Sequence, residues 1–160
     1  GEGVFLGSDL INGGTLKGLR DDTFVLKAEV IEVKEKSLTT SSETGNVAPF
    51  ENELEEDYEP GQRGYRALVN VGALDTNVDG LTPKNPSYRV AGASSDITVV
   101  NVGENPAGVK VGGYIEFYLD YSALLRLMSS EYVQKTVEPS IEEFKKLLKR
   151  TDKLEMPLPL

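Results

Sequence analysis

The stretch Phe24-Val-Leu-Lys-Ala-Glu-Val-Ile-Glu-Val-Lys-Glu-Lys36 decides the fold. Phe24, Leu26, Ala28 and Val30 share one parity of a period-two pattern, the mark of a strand with one buried face. Ile31 and Val33 carry the apolar character onward on the opposite parity. A one-residue slip of this kind is what a β-bulge produces. The pattern therefore predicts a strand over 23–34 with a bulge near Val30-Ile31.

Working outward, the same periodicity gives more strands. Tyr65 to Leu74 alternates Ala67, Val69 and Val71 against Leu68, Asn70 and Gly72. Tyr88–Gly92, Ile97–Val102 and Tyr114–Asp120 are shorter, and the last alternates Ile115, Phe117 and Leu119. Gly1 to Gly7, an apolar run between glycines, reads as a buried strand, and Glu131 to Val137 as a final one. Asp79-Gly80 turns the chain, and Pro83 and Pro86 keep the next stretch extended. Short strands separated by Gly, Pro, Asn and Asp, with no long helices alternating between them, predict a mainly β chain. The fold class is an antiparallel β-barrel or sandwich, not a doubly wound α/β sheet. Its expected core is Phe24, Leu26 and Ala28, Val69 and Val71, Val99 and Val100, and Ile115, Phe117 and Leu119.

Two helices are predicted. Tyr121 to Met128 forms one. Ser140-Ile-Glu-Glu143 is a capping box that opens a second over 140–151. Ile141, Phe144, Leu147 and Leu148 make its apolar, docking face, and Lys145, Lys146, Lys149 and Arg150 lie elsewhere. The expected organisation is a β-domain over 1–137 and a C-terminal helix with an extended tail over 138–160.

Composition excludes several functions. The chain has 160 residues, 17 Lys plus Arg against 26 Asp plus Glu, and a formal net charge of −9. Nucleic-acid binding needs a basic stripe that displaces counterions, and anionic membranes need the same sign of charge, so neither partner is expected. There is no Cys and no His. That removes disulfides, thiolate and imidazole metal ligands, Cys nucleophiles and Ser-His-Asp triads. No apolar run approaches membrane-helix length and no leader is visible, so a cytoplasmic location is expected.

Few motifs carry chemistry. Asp75-Thr-Asn-Val-Asp79-Gly80 matches the first half of a calcium loop, but its twelfth position is Pro86 rather than a bidentate Glu, so no metal is expected. Ser37 to Gly64 is a long polar connection, mostly acidic over 51–59, that reads either as a solvated loop or as a lid. Gly92-Ala-Ser-Ser-Asp96 sets two hydroxyls and a carboxylate between short strands. It reads either as a turn bonding its own backbone or as a place where open backbone N–H groups meet a carboxylate ligand.

Several of these segments, in order, resemble one family. They are Gly1-Glu-Gly-Val-Phe-Leu-Gly7, the Phe24–Lys36 strand, Arg66-Ala-Leu, then Gly72, Asp75 and Gly80-Leu-Thr-Pro83, Val90-Ala-Gly-Ala-Ser-Ser-Asp96, Val109-Lys-Val-Gly112, and Asp120 to Val133. Together they resemble the C-terminal β-domain of pyridoxal-phosphate amino acid racemases of the alanine racemase fold, and within it the ornithine racemase branch. The resemblance covers about residues 1–135.

It implies a two-part enzyme. An N-terminal (β/α)8 barrel holds pyridoxal phosphate on a lysine, and two subunits pair so that the β-domain of one closes the active site of the other. The barrel is absent here, so this chain is expected to fold alone and to be inert alone, as part of a longer, homodimeric protein acting on a small-molecule amino acid substrate.

By residue, Gly7 corresponds to a cofactor-binding position, preceded by Leu6 where alanine racemases have Tyr. The family's second base, a Tyr, corresponds to the stretch 41–45, which has none. The alternatives are Glu43, Tyr58, Tyr65 or a base that lies elsewhere, with Glu43 and Tyr65 carried as the catalytic candidates. Gly92 to Asp96 corresponds to the stretch whose backbone meets the substrate carboxylate, which makes Ser94, Ser95 and Asp96 substrate-binding candidates. Asp75 lies at the family's entrance gate and is the fourth substrate-binding candidate. Ala73 and Ser95 stand where alanine racemases place Tyr and Met, which makes room for a longer, basic substrate such as ornithine. The competing class is a non-catalytic β-barrel interaction module that uses the acidic loop and the tail helix.

Overall fold

The computed structural model describes residues 1–38 and 61–151, with the side chains of Arg150 and Thr151 outside the description. One compact unit runs from Gly1 to Ser130, and the residues from Glu131 onward form a second.

The first unit is built on one six-stranded antiparallel sheet. Its strands are β1 (Val25–Ser37), β2 (Arg63–Val69), β3 (Leu81–Pro83), β4 (Arg89–Ala93), β5 (Thr98–Gly103) and β6 (Tyr114–Leu119). The order across the sheet is β3-β6-β1-β2-β5-β4, and the two edge strands β3 and β4 also lie against one another. The result is a nearly closed barrel. The mainly β, antiparallel fold class expected from the sequence is the one observed.

The bulge in β1 makes this curvature possible. Before it, Val25 to Glu29 pair with Tyr118 to Tyr114 of β6. After it, Glu32 to Ser37 pair with Leu68 to Arg63 of β2, and the register shifts between Val30 and Glu32. Ile31 is the extra residue and is exposed. At the switch, Val30 exchanges hydrogen bonds with Gly112 and Gly113, and the side-chain oxygen of Asn70 accepts from the Glu29 amide. One strand thus serves two neighbours at its two ends, as a bulge allows.

The barrel interior follows from alternation. Leu26, Ala28, Val30, Ala67, Val69, Val100, Val102, Ile115 and Phe117 are buried. Of the expected core, Phe24, Val99 and Leu119 are half-buried instead. Two buried polar side chains are satisfied inside the core. Thr98 Oγ1 donates to the Val71 carbonyl at 2.7 Å, and the Asn101 side-chain oxygen accepts from Arg66 Nε at 3.0 Å.

Two sequence expectations are corrected. Glu2–Leu6 is a short helix, α1, not a strand. Gly7 ends it in the left-handed region, φ 66°, where a residue without a side chain sits at no steric cost. Val4 and Phe5 are exposed, so the run was not a buried strand at all. Glu131 to Val137 forms no strand; those residues are bends and irregular chain.

The helices α2 (Tyr121–Ser129) and α3 (Ile141–Thr151) lie where the sequence placed them. Asp120 caps α2, its Oδ1 accepting from the Ala123 amide at 2.7 Å, and Ala123, Leu124 and Leu127 are buried. In the second unit the capping box opens α3. The Ser140 amide donates to a Glu143 carboxylate oxygen at 2.9 Å, and the Glu143 amide donates to Ser140 Oγ at 3.3 Å. Taken by itself, this unit leaves Ile141, Phe144, Leu147 and Leu148 exposed.

Candidate functional site

Two loops that are 20 residues apart in sequence meet at one end of the barrel. The chain leaving β2 passes through Val71 and Gly72 into a turn, Gly72 to Thr76. The hairpin between β4 and β5 turns at Ser94 to Ile97. The Ala73 amide donates to the Ser94 carbonyl, and the Leu74 amide to the Ser95 carbonyl, both at 2.9 Å. Three of the substrate-binding candidates, Ser94, Ser95 and Asp96, are therefore brought against the segment that holds the fourth, Asp75.

Within the first loop, Asp75 Oδ2 accepts from the Gly72 amide at 3.1 Å, and the amides of Asp75 and Thr76 donate back to the Gly72 carbonyl at 3.0 and 3.1 Å. Thr76 is fully buried and its hydroxyl donates to the Ala123 carbonyl at 3.2 Å, tying the loop to α2. The second carboxylate oxygen of Asp75 accepts nothing within the described residues.

Within the hairpin, the Ser94 amide donates to the Ile97 carbonyl at 2.8 Å, and Ser95 Oγ donates to Asp96 Oδ2 at 2.7 Å. The reciprocal bond, from the Ile97 amide to the Ser94 carbonyl, is not made, and that carbonyl accepts from Ala73 instead. The backbone N–H groups of Ser95, Asp96 and Ile97 have no acceptor among the described residues. Three consecutive open backbone donors on a turn are a group that a carboxylate can satisfy. Of the two sequence readings of Gly92 to Asp96, the turn bonds its own side chains and also leaves its backbone donors open.

The remaining candidates lie elsewhere. Tyr65 is at the opposite end of β2, paired with Glu35 and Gly103. At about 3.3 Å per residue, the four steps from Tyr65 to Val69 alone separate it from the loop cluster by roughly 13 Å of strand. Glu43 and Tyr58 lie outside the described residues, as does the acidic run over 51–59. A shallow cavity of about 380 Å³ lined by Lys84, Tyr88, Lys110 and Glu116 shares no residue with the loop cluster. Its central Lys84 is held by the Glu116 carboxylate at 2.8 Å, so it is a paired surface rather than a second site. No group of three or more carboxylates able to hold a metal ion occurs among the described residues.

Pyridoxal phosphate needs a lysine for its aldehyde and a cradle of donors for its phosphate. Gly7 does not supply such a cradle with the residues around it. A Cβ there would lie 2.5 Å from the Arg20 carbonyl oxygen, so the chain's own backbone fills that side. The nearby Arg20 guanidinium is held by both oxygens of Asp22, at 2.8 and 2.9 Å. The described residues thus do not fit the group by themselves.

A nearly closed antiparallel barrel with paired loops at one end is the architecture expected for the β-domain of the racemases. Over 135 residues, 84% of its length, the chain is 36% identical to the ornithine racemase of Acetoanaerobium sticklandii. Over 141 residues, 88% of its length, it is 37% identical to the lysine racemase of Thermotoga maritima. No protein-family model and no solved structure matches it. The chain belongs to the racemase family of which these two are members. It spans 37% and 39% of the length of those relatives, so it corresponds to a part of such a protein. Among the described residues, no helix is long and apolar enough to cross a membrane.

Proposed function

We propose that this chain is the C-terminal β-domain of a cytoplasmic, pyridoxal-phosphate-dependent racemase for a basic amino acid such as ornithine. In this reading it works in a homodimer, where it closes the active site carried by the barrel of the partner subunit. The cofactor belongs mainly to that barrel and its lysine. One observation carries the proposal: three open backbone donors on Ser95, Asp96 and Ile97 lie beside Asp75, in a chain related to an ornithine and a lysine racemase.

Each part has a chemical task. The open amides of the 94–97 turn receive the α-carboxylate, which every amino acid has. Asp75 and Asp96 face the cationic side chain that only a diamino acid has, since an ammonium removed from water needs a carboxylate partner. Ala73 and Ser95, both small, leave length for that side chain. For the second base the proposal keeps both Glu43 and Tyr65, although Tyr65 sits at the far end of β2 from the donors.

The test is a racemisation assay of the parent polypeptide on a panel of amino acids, together with its absorbance at the Schiff-base band. Turnover of ornithine or lysine above that of alanine is the expected result. No Schiff-base band and no turnover of any amino acid would favour a non-catalytic interaction module instead.

A further inference from the structure

Gly72 stands closer to the 94–97 turn than any side chain permits. A Cβ built on it would collide with the Ser95 carbonyl oxygen and lie 2.6 Å from the amide nitrogens of Asp96 and Ile97. No L-residue with a side chain fits that gap unless one of the two backbones moves. Gly72 is buried, and its φ is not in the left-handed region, so the need here is for space and not for an unusual conformation.

The crossing is fastened on both sides of Gly72. Upstream, Thr98 Oγ1 holds the Val71 carbonyl at 2.7 Å. Downstream, the amides of Ala73 and Leu74 hold the carbonyls of Ser94 and Ser95. These last two bonds draw the turn's carbonyls toward the first loop. The absence of a side chain on residue 72 is therefore what lets the two backbones cross this closely, with the amide nitrogens of Asp96 and Ile97 against its Cα.

We propose that Gly72 is a positioning residue. By admitting the backbone of residues 95–97 to within contact of its Cα, it sets the orientation of the amides of Ser95, Asp96 and Ile97 that receive the substrate carboxylate. This rests on the reading of the turn as the carboxylate site. It goes beyond that reading by assigning the site's geometry to a residue that touches no substrate.

The test uses Gly72→Ala in the parent enzyme, with Thr98→Val as a second variant that loosens the same crossing without adding an atom. Gly72→Ala is expected to raise KM for ornithine and for a neutral amino acid by a similar factor, about tenfold or more, the scale of one lost hydrogen bond to a charged group. Inhibition by 1,4-diaminobutane, which is ornithine without its carboxylate, should stay as in the wild type. A purely structural role would weaken the diamine and the amino acids alike, and that result would overturn the proposal, as would an unchanged KM. If Gly72→Ala does not fold, Thr98→Val is expected to show the same selective loss in smaller measure, and wild-type kinetics for it would count as failure.

A second readout does not depend on racemase activity. In the 160-residue chain, acetate should shift the amide resonances of Ser95, Asp96 and Ile97 in the wild type and not in Gly72→Ala. Acetate shifts without racemisation in the parent enzyme would sink the proposed function and leave the role of Gly72 standing. Racemisation with acetate shifts retained in Gly72→Ala would do the reverse.

Discussion

Lys84 Nζ lies 2.8 Å from the Glu116 carboxylate and 5.7 Å from the centre of the Tyr118 ring, on the outward face where β3 and β6 pair. The Lys84 amide also donates to the Glu116 carbonyl at 2.9 Å, so backbone and side chain bind the same two residues. Lys27 of β1 adds a longer contact to Glu116, at 3.9 Å.

This pair predicts a pH and salt signature. The Lys84 hydrogen bond holds the Glu116 carboxyl below its ordinary value of 4.5, and the same bond holds Lys84 above 10.5. The contribution of Glu116 is complete above the ordinary carboxylate range and fades as the pH falls through its lowered folded value. That of Lys84 is complete below the ordinary lysine range and fades as the pH rises through its raised folded value. Both side chains are about a third exposed, so the stabilisation is small and screened by salt. We expect Glu116→Gln to lower the melting temperature slightly at pH 7 in low salt. The difference should vanish in high salt and in strong acid. A difference that is the same at pH 2 and pH 7 would mean that the pair acts through packing, not charge.

The barrel core predicts a larger effect. Phe117 is fully buried at the middle of β6, opposite Leu26 of β1 and Pro83 of β3. Phe117→Ala leaves a cavity between three strands and is expected to cost about 3–5 kcal/mol. Chemical denaturation should show a lower midpoint with an unchanged slope. A loss under about 1 kcal/mol would place Phe117 outside the cooperative core.

The capping box of α3 predicts a local change. Ser140→Ala removes the hydroxyl that accepts from the Glu143 amide and should cost about 1 kcal/mol of helix stability. Hydrogen exchange at the Glu143 amide should speed up accordingly. The Glu143 carboxyl is held low first by the Ser140 amide and then by its hydroxyl. Only the second is lost in Ser140→Ala, so an NMR titration should find the Glu143 value rising part of the way back toward normal. No change in either readout would mean that the box does not order the helix.

What the sequence revealed, and what it hid, has physical reasons. The bulge was legible because a parity slip inside Phe24–Lys36 has no other simple cause, and α2 and α3 were legible from caps and apolar spacing. The run Gly1 to Gly7 was not, because five residues between glycines fit a strand or a single helical turn equally well, and only the exposure of Val4 and Phe5 decides. For Leu81–Pro83 the prolines predict only extended chain, and three residues are too few to show an alternation. The segment closes the barrel as an edge strand, where a proline's missing donor is tolerated. At the site, Asp75 and Ser94 to Asp96 were singled out separately, and nothing in their spacing says that they meet. The open amides are backbone groups and leave no mark in side-chain patterns. Gly72 has the weakest signal of all, since a glycine chosen for space looks like any other glycine.

Asp75 carries the last prediction, on substrate choice. Its Oδ2 accepts from the Gly72 amide at 3.1 Å, which is the bond of an ordinary turn cap. Its other oxygen has no partner among the described residues, and the residue is only half-buried. Asparagine keeps an oxygen that can accept the same bond, so Asp75→Asn preserves the cap and removes the charge. If Asp75 only closes the turn, that exchange is nearly silent for every substrate. If it pairs with the distal ammonium of a diamino acid, the exchange strips a buried cation of its counter-charge, a loss of several kcal/mol at most and of about 1–3 kcal/mol where water still reaches the pair. We therefore expect Asp75→Asn to lower kcat/KM for ornithine and lysine by about tenfold to a hundredfold, with little change for alanine, measured side by side on the parent enzyme. Equal losses for basic and neutral amino acids would make Asp75 structural, and a wild-type preference for alanine would overturn the assignment of a basic substrate altogether.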